Sequence, residues 1–146
     1  MGSEQYINER LNNQIDWHDK KSYHNKKLFY TFHVLEVFLA LLIPFLNSIT
    51  DEKSLWSYKI ISFISLTIAI ISTILSLSKF QTNWVQYRLI SETLKSEKFL
   101  YLTKSPPYNQ GEAYNTLVKR IEGIILKENS KWFSSQSFKQ KKNLKL

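Results

Sequence analysis

Two ionisable side chains interrupt a long apolar run of the sequence. The run "LFYTFHVLEVFLALLIPFL" (28–46) contains His33 and Glu36. Glu36 lies eight residues into the run, roughly 12 Å along a helix, and His33 lies one turn earlier on the same face. We expect Glu36 either to tie helices together, through His33 or a serine of a second helix, or to form a ring of carboxylates that favours cations in an oligomer.

Small residues recur in a second apolar run, "IISFISLTIAIISTILSLS" (60–78), which carries no charge. Ser62, Ser65, Ala69, Ser72 and Ser76 follow spacings of three, four, three and four, which places them on one helical face. We call this face the serine stripe. Small residues let membrane helices approach closely, and a serine hydroxyl can bond to its own backbone. We therefore expect the stripe to be buried against the first run or between subunits, or to line a narrow water-filled path.

Other reactive arrangements are missing from the sequence. It has no cysteine and no GxSxG, P-loop or HExxH motif, and its three histidines lack the spacing of zinc ligands. His18 and His24 fall on a polar helix, where we expect them to be solvated. Arg88, Glu92 and Lys95 have the spacing of a helix-stabilising ladder of ion pairs rather than of an acid–base pair. The sequence predicts no enzyme activity, no metal site and no cofactor.

Both apolar runs are long enough to cross a bilayer, whose hydrocarbon core needs about 20 residues of helix. Two buried helices of a soluble protein are the alternative, but such helices seldom stay apolar on all sides. In the loop between the spans, Asp51 and Glu52 stand against Lys53, whereas six basic residues flank the spans on the other side: Lys20, Lys21, Lys26, Lys27, Lys79 and Arg88. Positive flanks stay in the cytoplasm, so we expect both termini there.

The chain has only three glycines and three prolines, which favours helix throughout. We predict an all-α membrane protein: a two-transmembrane helical hairpin with a cytoplasmic helical bundle. No glycine or proline interrupts residues 78–105, so we expect the second span to continue into the cytoplasm as one helix. The predicted segments are an N-terminal amphipathic helix (1–27), a first span (28–48), an external loop (49–57), a second span (58–79), an extension helix (80–105), a C-terminal helix (111–134) and a basic disordered tail (135–146).

Aromatic and apolar residues outside the spans predict how the bundle packs. Ile7, Leu11 and Ile15 recur every four residues before the first span. We expect cytoplasmic packing or a subunit interface at Trp17, Trp84, Tyr87, Arg88, Glu92, Leu94, Tyr101 and Trp132.

The charge of the chain indicates its partners. From Lys79 onward there are 13 basic and 5 acidic residues, and the whole chain carries a net charge of +8. This excess favours anionic lipid headgroups. No recognition motif supports nucleic-acid binding, so no nucleic-acid partner is expected.

The order of several motifs resembles the bacterial SLATT family, two-transmembrane domains associated with SMODS and SLOG proteins, and especially its branch of unknown function. The stretches "YINERLNNQIDWHDKK", "WVQYRLISETLKSEKFLY", "PPY" and "RIEGIILKENSKW" carry the resemblance. The matching positions are Tyr6, Arg10, Trp17, Lys21, Pro44, Trp84, Tyr87, Arg88, Glu92, Leu94, Lys95, Glu97, Tyr101, Tyr108, Arg120, Glu122, Glu128 and Trp132. The resemblance implies a pore-forming or membrane-perturbing effector in the bacterial inner membrane.

Two classes of function follow. One is a homo-oligomer that conducts ions or permeabilises the membrane, and the other is a non-conducting anchor whose cytoplasmic bundle docks a partner protein. The sequence identifies neither the ion nor a triggering protein.

Overall fold

A computed structural model describes residues 2–49 and 55–143, with their side chains as far as residue 130. The elements in chain order are α1 (Ser3–Gln5), a π-helical turn (Tyr6–Leu11), α2 (Asn12–Ile49), α3 (Leu55–Ser78), α4 (Phe80–Leu102) and α5 (Ala113–Asn143). Helices and their connections account for the described residues, and no strand occurs among them. The all-α prediction is confirmed.

The first long helix runs without interruption through the predicted boundary at residue 28. Pro44 lies inside α2, and because proline has no backbone N–H, the carbonyl of Ala40 loses its helical hydrogen bond. Before α2 the π-helical turn adds a residue to the helical repeat, and its closing bond runs from the backbone N–H of Asn12 to the carbonyl of Ile7.

The second long helix is interrupted, which corrects the prediction of one helix through residues 78–105. Lys79 adopts a φ of 50°, in the left-handed region, and separates α3 from α4. This conformation ends helices, although glycine is the usual residue there. Asn83 stabilises the break: its side-chain amide donates to the carbonyl of Ser78 at 3.3 Å, and its backbone N–H donates to the carbonyl of Lys79 at 3.0 Å.

Two other boundaries differ from the predicted ones. The helix α3 begins at Leu55, inside the predicted loop of 49–57; the middle of that loop lies outside the described residues. The helix α5 continues to Asn143, so its described part includes most of the predicted disordered tail. No glycine or proline follows Gly123 to end this helix.

The chain divides into two units. The core unit comprises Met1–Asp19 and Arg88–Leu146. Its N-terminal segment, α4, the loop after α4 and α5 share one apolar core, with Leu11, Leu94, Leu117 and Ile121 fully buried. The other core members are Tyr6, Ile7, Ile15, Tyr108 and Ile125.

The apolar unit comprises Lys20–Tyr87 and contains the two predicted spans. Both helical runs, Ser3–Ile49 and Leu55–Leu102, are long and apolar enough to cross a membrane. In the most apolar stretch of the first run, none of the residues is buried. In the most apolar stretch of the second run, 6% of the residues are buried. Among the described side chains of this unit, Ile71 is the one apolar residue that is buried. The apolar surface of the unit therefore faces outward.

Candidate functional site

The helix α3 has a packed face and a serine face side by side. The packed face is formed by Ile61, Ile64, Ile68, Ile71 and Leu75, which repeat at the same spacing as the serine stripe and are half-buried or buried. Every member of the serine stripe is exposed. The expectation that the stripe is buried against the first helical run is therefore wrong for the single chain. Burial between copies and the lining of a path remain as predictions.

Hydroxyl groups on α3 bond to the helix that carries them. Ser65 donates to the carbonyl of Ile61 at 2.9 Å, and Thr73 donates to that of Ala69 at 2.7 Å. A hydroxyl held in this way keeps its oxygen lone pairs available as acceptors. Ser65 can therefore coordinate water or a cation, or accept a hydrogen bond from a neighbouring helix, without leaving its own proton unpaired.

Glu36 lies on the packed side of α2. Its side chain is 21% exposed, and Oε2 lies 3.5 Å from Nδ1 of His33, which is 56% exposed. The His33 ring stacks on Phe29, with ring centroids 5.8 Å apart. Phe32, one turn before Glu36, stacks on Phe80 at 6.2 Å. His33 is one of the two structural partners expected for Glu36 from the sequence; the other was a serine of a second helix.

The predicted ion-path residues do not form one cluster in the chain. Glu36 faces the half-buried side of α2, whereas the serine stripe faces outward from α3. Among the described residues no hydrogen bond or ion pair joins His33 or Glu36 to Ser62, Ser65, Ser72 or Ser76. A path that uses the stripe does not need the carboxylate of Glu36.

One end of the apolar unit carries a lysine between two aromatic rings. Nζ of Lys26 lies 5.6 Å from the centroid of Trp84 and 6.0 Å from that of Tyr30. Ser22 is buried and donates to the carbonyl of Trp84 at 3.0 Å. The indole Nε1 of Trp84 is buried and has no acceptor among the described residues. These contacts place residues 22–30 beside Trp84 within the unit.

Asp19 is the centre of a polar network in the core unit. It accepts a hydrogen bond from Ser91 Oγ at 2.6 Å and pairs with Lys95 Nζ at 2.8 Å and with Arg88 at 3.7 Å. Arg88 and Lys95 also pair with Glu92, at 2.8 and 3.2 Å. Burial raises the pKa of Asp19, but the hydrogen bonds from Lys95 and Ser91 outweigh it and hold the pKa below its usual range. The predicted ladder thus also links α4 to α2.

A buried carboxylate joins α4 to α5. Glu97 accepts two hydrogen bonds from Arg120, from Nε at 2.9 Å and from Nη2 at 2.5 Å, and a third from the hydroxyl of Tyr108. The bonds from Arg120 outweigh the effect of burial and lower the pKa of Glu97. Burial, together with the bond to Glu97, raises the pKa of Tyr108. The fork of the guanidinium suits this two-point contact.

A second carboxylate joins α5 to the N-terminal turn. Glu122 accepts bonds from Arg10 Nε at 3.2 Å, from Arg10 Nη2 at 3.1 Å and from the hydroxyl of Tyr6 at 3.0 Å. The bonds from Arg10 lower the pKa of Glu122. Tyr6 and Arg10 both lie in the π-helical turn, which presents them to the same carboxylate.

His18 is buried, which corrects the prediction that it is solvated. It is 1% exposed; Nε2 lies 2.8 Å from Oε2 of Glu128, and Nδ1 lies 2.7 Å from the carbonyl of Gln14. Both neighbouring atoms are acceptors, while a neutral imidazole donates from one nitrogen only. Both contacts are hydrogen bonds only when the His18–Glu128 pair holds one additional proton. His24 is exposed, as predicted.

The predicted packing residues have different environments. Leu94 is buried, Trp84, Tyr87 and Tyr101 are half-buried, and Trp17, Arg88 and Glu92 are exposed. Trp132 lies outside the residues whose side chains are described. Tyr101 packs edge-on against Tyr108, with centroids 5.7 Å apart.

The resemblance included the partners of Glu97 and Glu122, but the sequence did not predict these pairings, and it did not single out Asp19. Glu97 and Arg120 are 23 residues apart in the sequence, and Arg10 and Glu122 are 112 residues apart. No local spacing therefore identifies these pairs. In the part of the chain that the structure describes, no group of histidine and acidic side chains is arranged to hold a metal ion.

Comparison with known families decides what kind of chain this is. The profile of DUF4231, a protein family of unknown function, matches residues 13–116. The chain belongs to the DUF4231 family. Comparisons with curated proteins and with solved structures found no match.

The DUF4231 match covers the whole apolar unit, with the serine stripe and Glu36, and extends to the beginning of α5. It includes every member of the Asp19 network. It contains Glu97 and Tyr108 but ends before Arg120, Glu122 and Glu128. The partners that α5 supplies to the core unit therefore lie beyond the matched residues.

Proposed function

We propose that this DUF4231 chain is a two-span membrane protein that assembles with copies of itself and conducts ions or permeabilises the membrane. The observation that carries the proposal is the exposure of the whole serine stripe on a helix that is otherwise apolar. Copies that meet through their stripes would place hydroxyl oxygens between the helices. Two spans cannot enclose a water-filled path, so conduction requires several copies.

The outward apolar surface supports the membrane placement. Phe63, Leu66 and Leu77 of α3 and Leu41 and Phe45 of α2 are all more than half exposed. Exposed apolar area in water costs about 25 cal/mol per Å², and a surface of this extent on a soluble protein marks an interaction site. Helices that form the core of a soluble protein are mostly buried, and these are not.

The serine stripe supports self-association because lipid tails give helices no hydrophobic reason to meet. Close packing of small residues and hydroxyl hydrogen bonds supply the attraction instead. The spacing of three and four suits left-handed packing of two helices. The packed face of α3 is already used inside the chain, so the stripe is the small-residue face that remains for another copy.

The hairpin topology, the cytoplasmic placement of the core unit and the bacterial inner membrane are parts of the same proposal. They are supported by Lys20, Lys26 and Lys27 before the first span and Lys79 after the second. The SLATT assignment likewise remains part of the proposal. Six of the residues that carry the resemblance form the two networks around Glu97 and Glu122, namely Tyr6, Arg10, Glu97, Tyr108, Arg120 and Glu122.

Cysteine cross-linking tests the self-association directly, because the chain has no cysteine of its own. We expect Ser72→Cys in membranes to form disulfide-linked dimers under mild oxidation. Ile70→Cys is the matched control, since Ile70 is 53% exposed but lies on the apolar outer face of the same helix. Equal cross-linking at both positions, or none at Ser72→Cys, would contradict an interface at the stripe.

A non-conducting anchor is the second candidate. It is favoured by the core unit, which has its own apolar core and polar networks at Asp19, Glu97 and Glu122. Such a unit can present a rigid surface to another protein. Ser72→Cys dimers without any ion flux from purified protein in liposomes would favour the anchor.

A further inference from the structure

One end of the apolar unit is basic and lacks acidic residues. Residues 20–35 and 79–87 contain Lys20, Lys21, Lys26, Lys27 and Lys79, but no aspartate or glutamate. The same segments flank the inner ends of the predicted spans. A positive surface attracts an anion from outside the chain.

Aromatic contacts bring the two segments together. Phe32 stacks on Phe80, and the ammonium group of Lys26 lies over the ring of Trp84. Lys79 directly precedes Phe80, so the lysines of both segments belong to the same end of the unit. Lys59 makes a similar contact with Trp56, 5.5 Å from its centroid, near the beginning of α3 at the opposite end.

The backbone at Lys79 is a second and separate observation. Its φ of 50° lies in the left-handed region, which a residue with a Cβ seldom adopts. Such strain is concentrated at ligand sites and switches, where it forms part of a mechanism. Here it places a lysine at the break between the apolar α3 and the polar α4, the level at which lipid headgroups meet a spanning helix.

We propose that Lys26, Lys27 and Lys79, beside the ring of Trp84, bind the phosphate of anionic phospholipid headgroups. The proposal rests on the membrane placement proposed above. The lysines supply the charge, and the indole lies at the interface, where tryptophan is favoured. Phosphatidylglycerol is the appropriate probe, because its phosphate is not neutralised by an amine within the same headgroup.

Tryptophan fluorescence can measure this binding at the site itself. In the full-length chain Trp17, Trp56 and Trp132 are replaced by phenylalanine, so that Trp84 is the sole fluorophore. The protein is placed in bilayers that contain either brominated phosphatidylglycerol or brominated phosphatidylcholine, which quench a nearby indole. The ratio of the two quenching efficiencies gives the preference of the site for the anionic lipid.

We expect phosphatidylglycerol to be preferred, and each removed lysine to lower the preference roughly fivefold. The variant Lys26→Gln with Lys27→Gln should therefore lose most of it, whereas Lys59→Gln, at the opposite end, should retain it. No preference in the parent protein, or a preference that survives the double substitution, would overturn the proposal.

The same quenching experiment distinguishes failure of the lipid site from failure of the membrane placement. Quenching of Trp84 by neither lipid would remove the membrane placement and the lipid site together, whereas equal quenching by both lipids would remove the lipid site alone. Loss of the preference when inorganic phosphate is added at constant ionic strength would show a site for free phosphate instead of lipid, and would also contradict the proposal.

Discussion

Ile71 and Ser72 are adjacent residues on α3, and they face different surroundings. Ile71 is 6% exposed and belongs to the packed face, whereas Ser72 is exposed together with the rest of the serine stripe. A helix that packs within its own chain through isoleucines leaves its small residues available to another copy or to water.

Replacing the buried carboxylate of Glu97 should weaken the core unit. Glu97→Gln loses the charge that holds Arg120, and hydrogen bonds to a charged group are each worth about 1.5–3 kcal/mol. We expect a loss of about that size in the free energy of unfolding at pH 7, measured by circular dichroism in detergent. Glu112→Gln, at an exposed position, is the control. An equal effect of the two would contradict the role of the network.

Acid should destabilise the same unit. The pKa values of Glu97, Glu122 and Asp19 are lowered by their partners, so their contribution is complete above the ordinary pKa of about 4.3 for glutamate and is lost as the pH falls through the lower folded values. Thermal unfolding between pH 7 and pH 3 should show this loss. The double variant Glu97→Gln with Glu122→Gln should be less stable than the parent at pH 7, and its unfolding temperature should depend less on pH. If its unfolding temperature fell with pH as steeply as that of the parent, the two carboxylates would not be the cause of the acid sensitivity.

His18→Phe should also destabilise the chain. The substitution keeps most of the ring volume but leaves the carboxylate of Glu128 without its donor, at about 1–3 kcal/mol. His24→Phe is the matched control, because His24 is exposed. Similar unfolding midpoints for the two variants would show that the His18 contacts contribute nothing.

The sequence predicted the elements of the core better than its contacts. Ile7, Leu11 and Ile15 could be assigned to the core because their spacing is that of one helical face, and all three are buried. The partners of His18 and Glu97 could not be assigned, because burial of a polar residue depends on elements far away in the chain.

The break at Lys79 shows a second limit. Helix ends are recognised in sequence by glycine or proline, and neither is present. The left-handed conformation at Lys79 is maintained by bonds from Asn83, four residues later.

Similarly, the 3–4 spacing occurs twice on α3, once in isoleucines and once in serines, and the sequence alone did not decide which face packs within the chain.

Glu36→Gln should leave ion preference within roughly twofold of the parent, because Glu36 and the exposed serine stripe lie on different faces. Its contact with His33 predicts a small loss of stability, about 0.2–0.5 kcal/mol, as for other side-chain pairs three residues apart on a helix. Reversal potentials in planar bilayers measure the ion preference. Unfolding in mixed micelles measures the loss of stability. A large loss of cation preference would instead place the carboxylate in the path.

The topology can be tested by labelling intact cells with an impermeant thiol reagent. We expect Ser54→Cys to react, because it lies between the spans, and Ser137→Cys to be protected in the cytoplasm. Lysed cells serve as the control, in which both variants should react. Reaction at Ser137→Cys alone would reverse the proposed orientation.

Ion flux from purified protein in liposomes tests the central claim most directly. We expect the parent chain to release a trapped cation, and Ser65→Leu and Ser72→Leu to reduce the rate roughly tenfold or more, because leucine fills the space beside the stripe and removes a hydroxyl. Ile70→Phe adds bulk on the exposed apolar face of the same helix and should leave the rate unchanged. No flux from the assembled parent protein, or full flux from both leucine variants, would contradict conduction along the serine stripe.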